Sequence, residues 1–279
     1  MGRQENITVF QDTEKICKNN KRLQEATQRA IECQKVILEN DILKKVIYDK
    51  YEENAKIVVS KKRTFEAASA YKGHKVAVHN FASASNPGGG VENGANAQEE
   101  CLCRCSNLYF CLKEKNMWEK FYKPHRNAWN PIHNDDIIYT SSVTVFKTDT
   151  SMPKVMDEED WYDVDVITCA APNLRERPGN QYNTGDGSKA IVMKDSELLQ
   201  LHEKRLRRIL DVSVLEGVDM IILGAFGCGA FMNNPEVVAR AAKNVIKDYL
   251  KAFKTVEFAV YCSPRDDRNY KVFERVMRL

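Results

Sequence analysis

Two adjacent carboxylates, Glu99 and Glu100, follow Gln98, which seven residues separate from a triple glycine, Gly88, Gly89 and Gly90. A glutamate pair can deliver a proton, accept one, or hold sugar hydroxyls. Three successive glycines remove side-chain bulk and permit positive φ, so this backbone can lie close against a ligand and turn amide groups toward an anion. Gln98, Glu99 and Glu100 open a run with helical spacing, which places them in a first turn where free N–H groups and the positive dipole end converge. An acid beside a phosphate cradle points to chemistry on the sugar of a phosphorylated nucleotide. A phosphoryl-transfer loop would carry Lys and Ser or Thr, and residues 88–100 contain none of them. Consecutive helical residues project about 100° apart, so the two glutamates are expected to have different tasks. The plainer alternative is that both only stabilise the helix end, by about 0.3 to 1 kcal/mol each.

A second glycine-rich stretch, GAFGCGAFMNNP from Gly224 to Pro235, follows an apolar run at 220–223. Gly224, Gly227 and Gly229 let amide groups of this loop surround a pyrophosphate as the next helix begins. Phe226 and Phe231 add flat surfaces for a ribose or adenine, or pack in the core. One glycine loop after a strand has many ordinary explanations; two are far more specific.

The spacing GGG-x7-QEE, preceded by VAVHNFASASNP at Val76 to Pro87, resembles the signature of the poly(ADP-ribose) glycohydrolases, in their bacterial-type branch, and GAFGCGAFMNNP is similar to that family's diphosphate loop. The resemblance runs from about Ile57 to the C-terminus, and Met1 to Asn54 carries little that identifies a family. It implies a three-layer α/β/α macrodomain with a mixed sheet over residues 57–279, an N-terminal helical extension over 1–56 packed on it, and no cofactor. It also implies hydrolysis of the ribose O-glycosidic bond of poly(ADP-ribose) or of an ADP-ribosylated protein, mainly at chain ends, releasing ADP-ribose. Glu100 becomes the general acid, Glu99 the residue holding the ribose or its neighbours, and Gln98 a support for the loop. Asn86 would bond to a ribose, its plainer role being that of a turn residue. The ligand would lie on Gly88, Gly89 and Gly90 and on Gly224, Ala225, Phe226, Gly227, Cys228, Gly229, Ala230 and Phe231, with Phe231 the aromatic beside the nucleotide. The bond breaks through an oxocarbenium-like state, after which Glu100, now a carboxylate, activates water. The alternative is a non-catalytic ADP-ribose reader, which has no need of an intact QEE; a third reading, a nucleotide-binding regulator, predicts salt-sensitive nucleic-acid binding.

Those residues need a scaffold, and 279 residues, 43% hydrophobic, supply one large core. The formal charge of +3 arises from mixed signs and gives no strong nucleic-acid footprint. Absence of a signal-like or membrane-length apolar run predicts a cytoplasmic protein, or a nuclear one in a eukaryote, and a monomer is expected. Nine cysteines are expected as reduced thiols. Cys101, Cys103 and Cys105 lack zinc-knuckle spacing, and His125, His133, Asp135 and Asp136 share one stretch; both sets are weighed as metal ligands and neither is assigned. Cys228 is read as a small residue permitting close approach. Thr13 to Tyr51 predicts one or two helices; 58–60, 75–79, 137–146, 164–169, 220–223 and 256–261 predict strands, and Thr64 to Tyr71 a helical turn. A helix from about Gln98 carries Leu102, Cys105 and Tyr109 on one side, Lys113 to Asp136 predicts an irregular surface excursion, and Asn173 to Lys189 a mobile loop. Leu199, Leu206, Ile209, Leu210 and Val214 form a helical stripe, Asn234 and Pro235 cap and start another helix, and Tyr270 to Met277 closes the chain with a third.

Overall fold

Runs such as Val76–Phe81 and Tyr162–Cys169 bury side chains on both faces, as strands between two helical layers must. The computed structural model describes residues 2–263 and 266–278. Its strands are β1 (Lys35–Ile37), β2 (Lys56–Ser60), β3 (Val76–Phe81), β4 (Ile137–Val145), β5 (Tyr162–Cys169), β6 (Met220–Leu223) and β7 (Thr255–Ala259). They form one sheet in the order β1-β4-β5-β3-β6-β7-β2. Only β4 runs against its neighbours. The C-terminal ends of β3, β5, β6 and β7 therefore share one edge, and both glycine loops leave from it, where open α/β sheets bind ligands.

Alternation along the strands separates two cores. Ala77, Ile167 and Ile221 face the layer of α8 (Asp195–Leu215), α9 (Pro235–Ile246) and α10 (Arg268–Val276). Val78, Val166 and Ile222 face the layer built from α3 (Thr64–Ala68), α4 (Gln98–Cys105), α5 (Leu108–Leu112), α6 (Lys115–Met117) and α7 (Lys123–Ala128). Two further helices, α1 (Arg3–Asn19) and α2 (Lys21–Cys33), come first in the chain; α1 lies on α4, and α2 on β4. This is the expected α/β architecture, and α9 starts at Pro235 with Asn234 capping Glu236 N at 3.1 Å.

Four expectations need correction. Helix stops at Cys33: Lys35–Ile37 is an edge strand on β4 and 38–54 is irregular, so the first 56 residues contribute to the sheet as well as packing on it. The helix from Gln98 breaks at Ser106 and Asn107. Ser106 Oγ caps Leu108 N (3.2 Å) and Asn107 pairs with the β4 backbone through Thr144 N (2.9 Å), the competition with helix that short polar side chains offer. Residues 113–136 are not a surface excursion. Met117, Phe121 and Tyr122 are fully buried there, around a π-helical turn at Trp118–Tyr122, and Pro124 is tolerated because it falls in the first turn of α7. Residues 173–189 are irregular as composition suggests, yet buried bonds pin them: Asn173 Nδ2 donates to Asp186 Oδ2 (2.7 Å) and Gly179 N to Gly187 O (2.8 Å). All nine cysteines are unpaired.

Candidate active site

Beyond Phe81 the chain turns over the sheet edge and brings the triple glycine against the start of α4. Gly89 has φ +59°, and a Cβ there would lie 2.5 Å from Glu100 Oε1 and 3.1 Å from Glu99 Oε2, so no side chain fits. The two carboxylates were expected to diverge; their backbones do, but their ends meet across this glycine. Glu100 accepts from Gly90 N (2.9 Å) and Ala97 N (3.0 Å), joining the loop to the helix start. Glu99 accepts from Ser83 N (2.8 Å) and Asn80 Nδ2 (3.2 Å) and is only 1% exposed. Burial first, and the negative charge of Glu100 second, push the Glu99 carboxyl up to about 8, against the pull of its hydrogen bonds. Gln98 spans β3 and α3: its Oε1 accepts from Phe81 N (2.9 Å), and its Nε2 donates to His79 O (2.7 Å) and Thr64 Oγ1 (3.1 Å).

The second loop is wrapped around Asn233. Its Nδ2 donates to Pro172 O (2.7 Å), Gly227 O (3.1 Å) and Phe231 O (3.1 Å), while its Oδ1 accepts from His202 Nε2 (2.8 Å). Burial pushes His202 down to about 4, so the ring is neutral. Gly227, at φ +75°, leaves no room for a Cβ, which would lie 2.7 Å from both Asn233 Nδ2 and Ala171 Cβ. Drawing those carbonyls inward has a consequence for the amides. Phe226 N and Cys228 N donate within the loop, whereas the N–H groups of Gly227, Gly229, Ala230 and Phe231 have no acceptor among the described residues. These four residues all line the cavity.

That cavity, about 650 Å³, runs between the two loops. Gly89, Gln98, Glu99 and Glu100 line it with Ser83 and Tyr182; Ala225 and the four amide residues line it with Arg175; Arg63, Asp149 and Tyr261 line it as well. Several expected ligand residues lie outside it. Phe226 is buried against His79 (4.4 Å between ring centres) and Phe81 (5.5 Å), so Phe231 is the aromatic on the cavity. Gly224 packs on Phe81, and Cys228 packs against the core. Gly88 backs onto Tyr109 and Cys103, and Gly90 lies under the ring of Tyr182. Asn86 turns away and donates to Gln181 O (3.3 Å). The residues that sequence reading did not single out as ligand contacts, Ser83, Arg175, Tyr182, Asp149 and Tyr261, come from separate segments with no shared spacing. Asn233 lay inside the second motif and carried no signal of its role.

No group of three His, Cys, Asp or Glu side chains is arranged to hold a metal ion among the described residues. His125 is held by Phe121 O (2.8 Å) and Asn134 Oδ1 (2.6 Å), His133 by Ala171 O (2.8 Å) and Asp186 Oδ1 (3.0 Å), and Asp135 pairs with Arg205 (2.8 Å). Asp136 accepts from Glu39 N (2.6 Å).

The family model described as the microbial-type PARG catalytic domain, PARG being poly(ADP-ribose) glycohydrolase, matches residues 3–148. The chain belongs to this family. It is similar to the poly(ADP-ribose) glycohydrolase of Thermomonospora curvata, with 25% identity, a TM-score of 0.85, and coverage of 98% of this chain and 100% of that one. The same protein bound to the inhibitor ADP-HPD gives 25% identity, a TM-score of 0.80, and coverage of 98% and 99%. The enzyme of Deinococcus radiodurans in complex with ADP-ribose gives 28% identity, a TM-score of 0.74, and coverage of 90% and 96%. No curated protein matches the sequence. The matched region begins at residue 3, so the family model extends over the N-terminal helices, where the sequence reading found little that identifies a family. The macrodomain-like fold is the one these glycohydrolases have.

Proposed function

We propose that this PARG-family glycohydrolase releases ADP-ribose from the ends of poly(ADP-ribose) or from ADP-ribosylated proteins, with Glu100 as proton donor. The reading is carried by one juxtaposition: two carboxylates beside Gly89 that line the same cavity as four amides without acceptors. Amides of that kind suit a pyrophosphate, and the carboxylates then face its outer ribose. Also on the cavity, the Tyr261 ring and the buried Asp149, whose Oδ1 accepts no hydrogen bond, suit the base. Relatives whose structures hold ADP-ribose or ADP-HPD support the same ligand class.

Near neutral pH Glu99 keeps its proton, because burial first and the adjacent Glu100 carboxylate second oppose its loss. Glu100 takes up that proton from Glu99 and passes it to the departing oxygen as the bond to the anomeric carbon breaks, which leaves both side chains as carboxylates. Both carboxylates and the pyrophosphate then stabilise the oxocarbenium-like centre. Glu100 takes a proton from water as the water oxygen bonds to that carbon, and return of that proton to Glu99 restores the starting state. End-cutting is supported by Tyr182, whose ring covers Gly90 and whose backbone O accepts from Ser83 Oγ (3.0 Å), walling the cavity beside the carboxylates. Defined mono- and poly(ADP-ribosyl) substrates, sized by product, test the proposal. Wild type should yield free ADP-ribose, and Glu100→Gln should bind ADP-ribose without hydrolysis. Near-normal turnover by that variant removes Glu100 from the mechanism, and no free ADP-ribose from wild type favours a reader.

A further inference from the structure

The cavity already holds Glu99, Glu100 and Asp149, so a pyrophosphate bearing two negative charges needs more than neutral amides to stay there. Two arginines line it. Arg63 has its counter-charge in Asp149 at 4.0 Å, while Arg175 forms no ion pair among the described residues. The nearest acid to Arg175, Asp186, is engaged by His133 (3.0 Å) and Asn173 (2.7 Å).

Arg175 is held in place on one side only. Its Nε donates to Asn173 Oδ1 (3.1 Å) and its Nη2 to Pro178 O (3.1 Å), and Asn183 turns its carboxamide oxygen to the same Nη2 (3.0 Å). Nη1 has no acceptor among the described residues. The guanidinium lies over the ring of Phe231, 5.6 Å from its centre, and Leu174 N donates to Phe231 O (3.0 Å), which couples the arginine's loop to the amide loop. An anchored guanidinium, partly desolvated, without a carboxylate and beside four open amides, is matched to a phosphate oxygen.

We propose that Arg175 is a binding residue for the pyrophosphate, taking its oxygens from the wall beside Phe231 while the amides of Gly227 to Phe231 take them from the loop. This rests on the reading that the cavity receives ADP-ribose. Its energetic role is to offset the repulsion between the diphosphate and the carboxylates, which neutral dipoles only partly screen.

Calorimetric titration of ADP-ribose into wild type, Arg175→Gln and Arg175→Lys at several salt concentrations tests it, with steady-state hydrolysis of polymer alongside. Arg175→Gln should bind ADP-ribose about 10-fold or more weakly at low salt, with a flatter salt dependence, and KM should rise by a larger factor than kcat falls. Arg175→Lys should keep the wild-type salt dependence with intermediate affinity, because the charge stays and the fork is lost. Affinity within about twofold of wild type in Arg175→Gln, or a loss with unchanged salt dependence as a merely disorganised loop would give, overturns the assignment. If wild type does not bind ADP-ribose at all, the reading of the cavity fails and the inference falls with it.

Discussion

Glu99 and Glu100 are neighbours in the chain, but the fold treats them differently. Glu100 closes the start of α4, whereas Glu99 sits deeper and holds a proton that an exposed glutamate would have lost. Turnover should therefore decline as pH rises through about 8, the Glu99 value, since Glu99 then has no proton to supply. A pH–rate profile checks this, and Glu99→Gln should lower kcat by about 10²- to 10⁴-fold, the usual reach of a lost acid–base group. Gly89→Ala should be nearly as damaging: a methyl group at φ +59° and 2.5 Å from Glu100 Oε1 must displace the carboxylate, so hydrolysis falls while circular dichroism remains that of a folded protein. The importance of both motifs was legible because glycine runs and adjacent acids have few structural uses in combination. The division of labour between Phe226 and Phe231 was not, since a loop has no periodicity to say which ring faces inward. Phe226→Ala should cost about 3 to 5 kcal/mol in stability, as a buried aromatic does, and Phe231→Ala should mainly weaken ADP-ribose binding.

Among the elements, α1 stands out because its sequence gives no hint of its work. Arg3 Nε donates to Asn93 O (2.8 Å), Asn6 Nδ2 to Gly94 O (3.1 Å) and Thr13 Oγ1 to Arg104 O (2.6 Å), so the helix braces both the glycine loop and α4 from behind. Phe10 anchors it edge-on to Tyr109, 4.9 Å between ring centres. Asn6→Ala leaves a buried carbonyl without its donor and should cost about 1 to 3 kcal/mol by urea unfolding. It should also lower kcat, which an equal destabilisation placed on α10, away from the loop, should not. The elements that were legible, α8, β6 and α9, have strong periodicity and clear caps. Those that were misread lacked a local signal. The three residues of β1 become a strand only because β4 offers an edge, and residues 115–128 bury their aromatics only because the sheet lies beneath them. Tertiary contact decides both, and a single chain does not display it.

At the scale of the molecule, the same buried groups that set up the site shape stability against pH. Burial holds His202 down to about 4, and burial first, then His202 once it has taken up its proton and the positive Arg205, hold His79 down to about 3. The unfolded chain takes up those protons sooner, so their contribution is complete above about 6.5 and is lost as pH falls. Glu99 and Asp149 act in the opposite sense. Each keeps a proton in the fold beyond the point where the unfolded chain releases it, Asp149 to about 6 and Glu99 to about 8, so each lowers stability as pH rises through its window. In the middle of the acid range the two bases and the two acids oppose one another. Above about 6.5 only Glu99 of these four is still changing, and stability should fall from there to about pH 8. Urea unfolding across that window checks the slope, and Glu99→Gln, which carries no titrating proton, should be level over it and more stable than wild type at its upper end. A level wild-type curve would place the proton elsewhere than on Glu99. The cost is borne by the site that uses the proton: a group kept protonated for chemistry near neutrality destabilises the fold when the solvent would remove that proton, and the same titration ends the acid's supply.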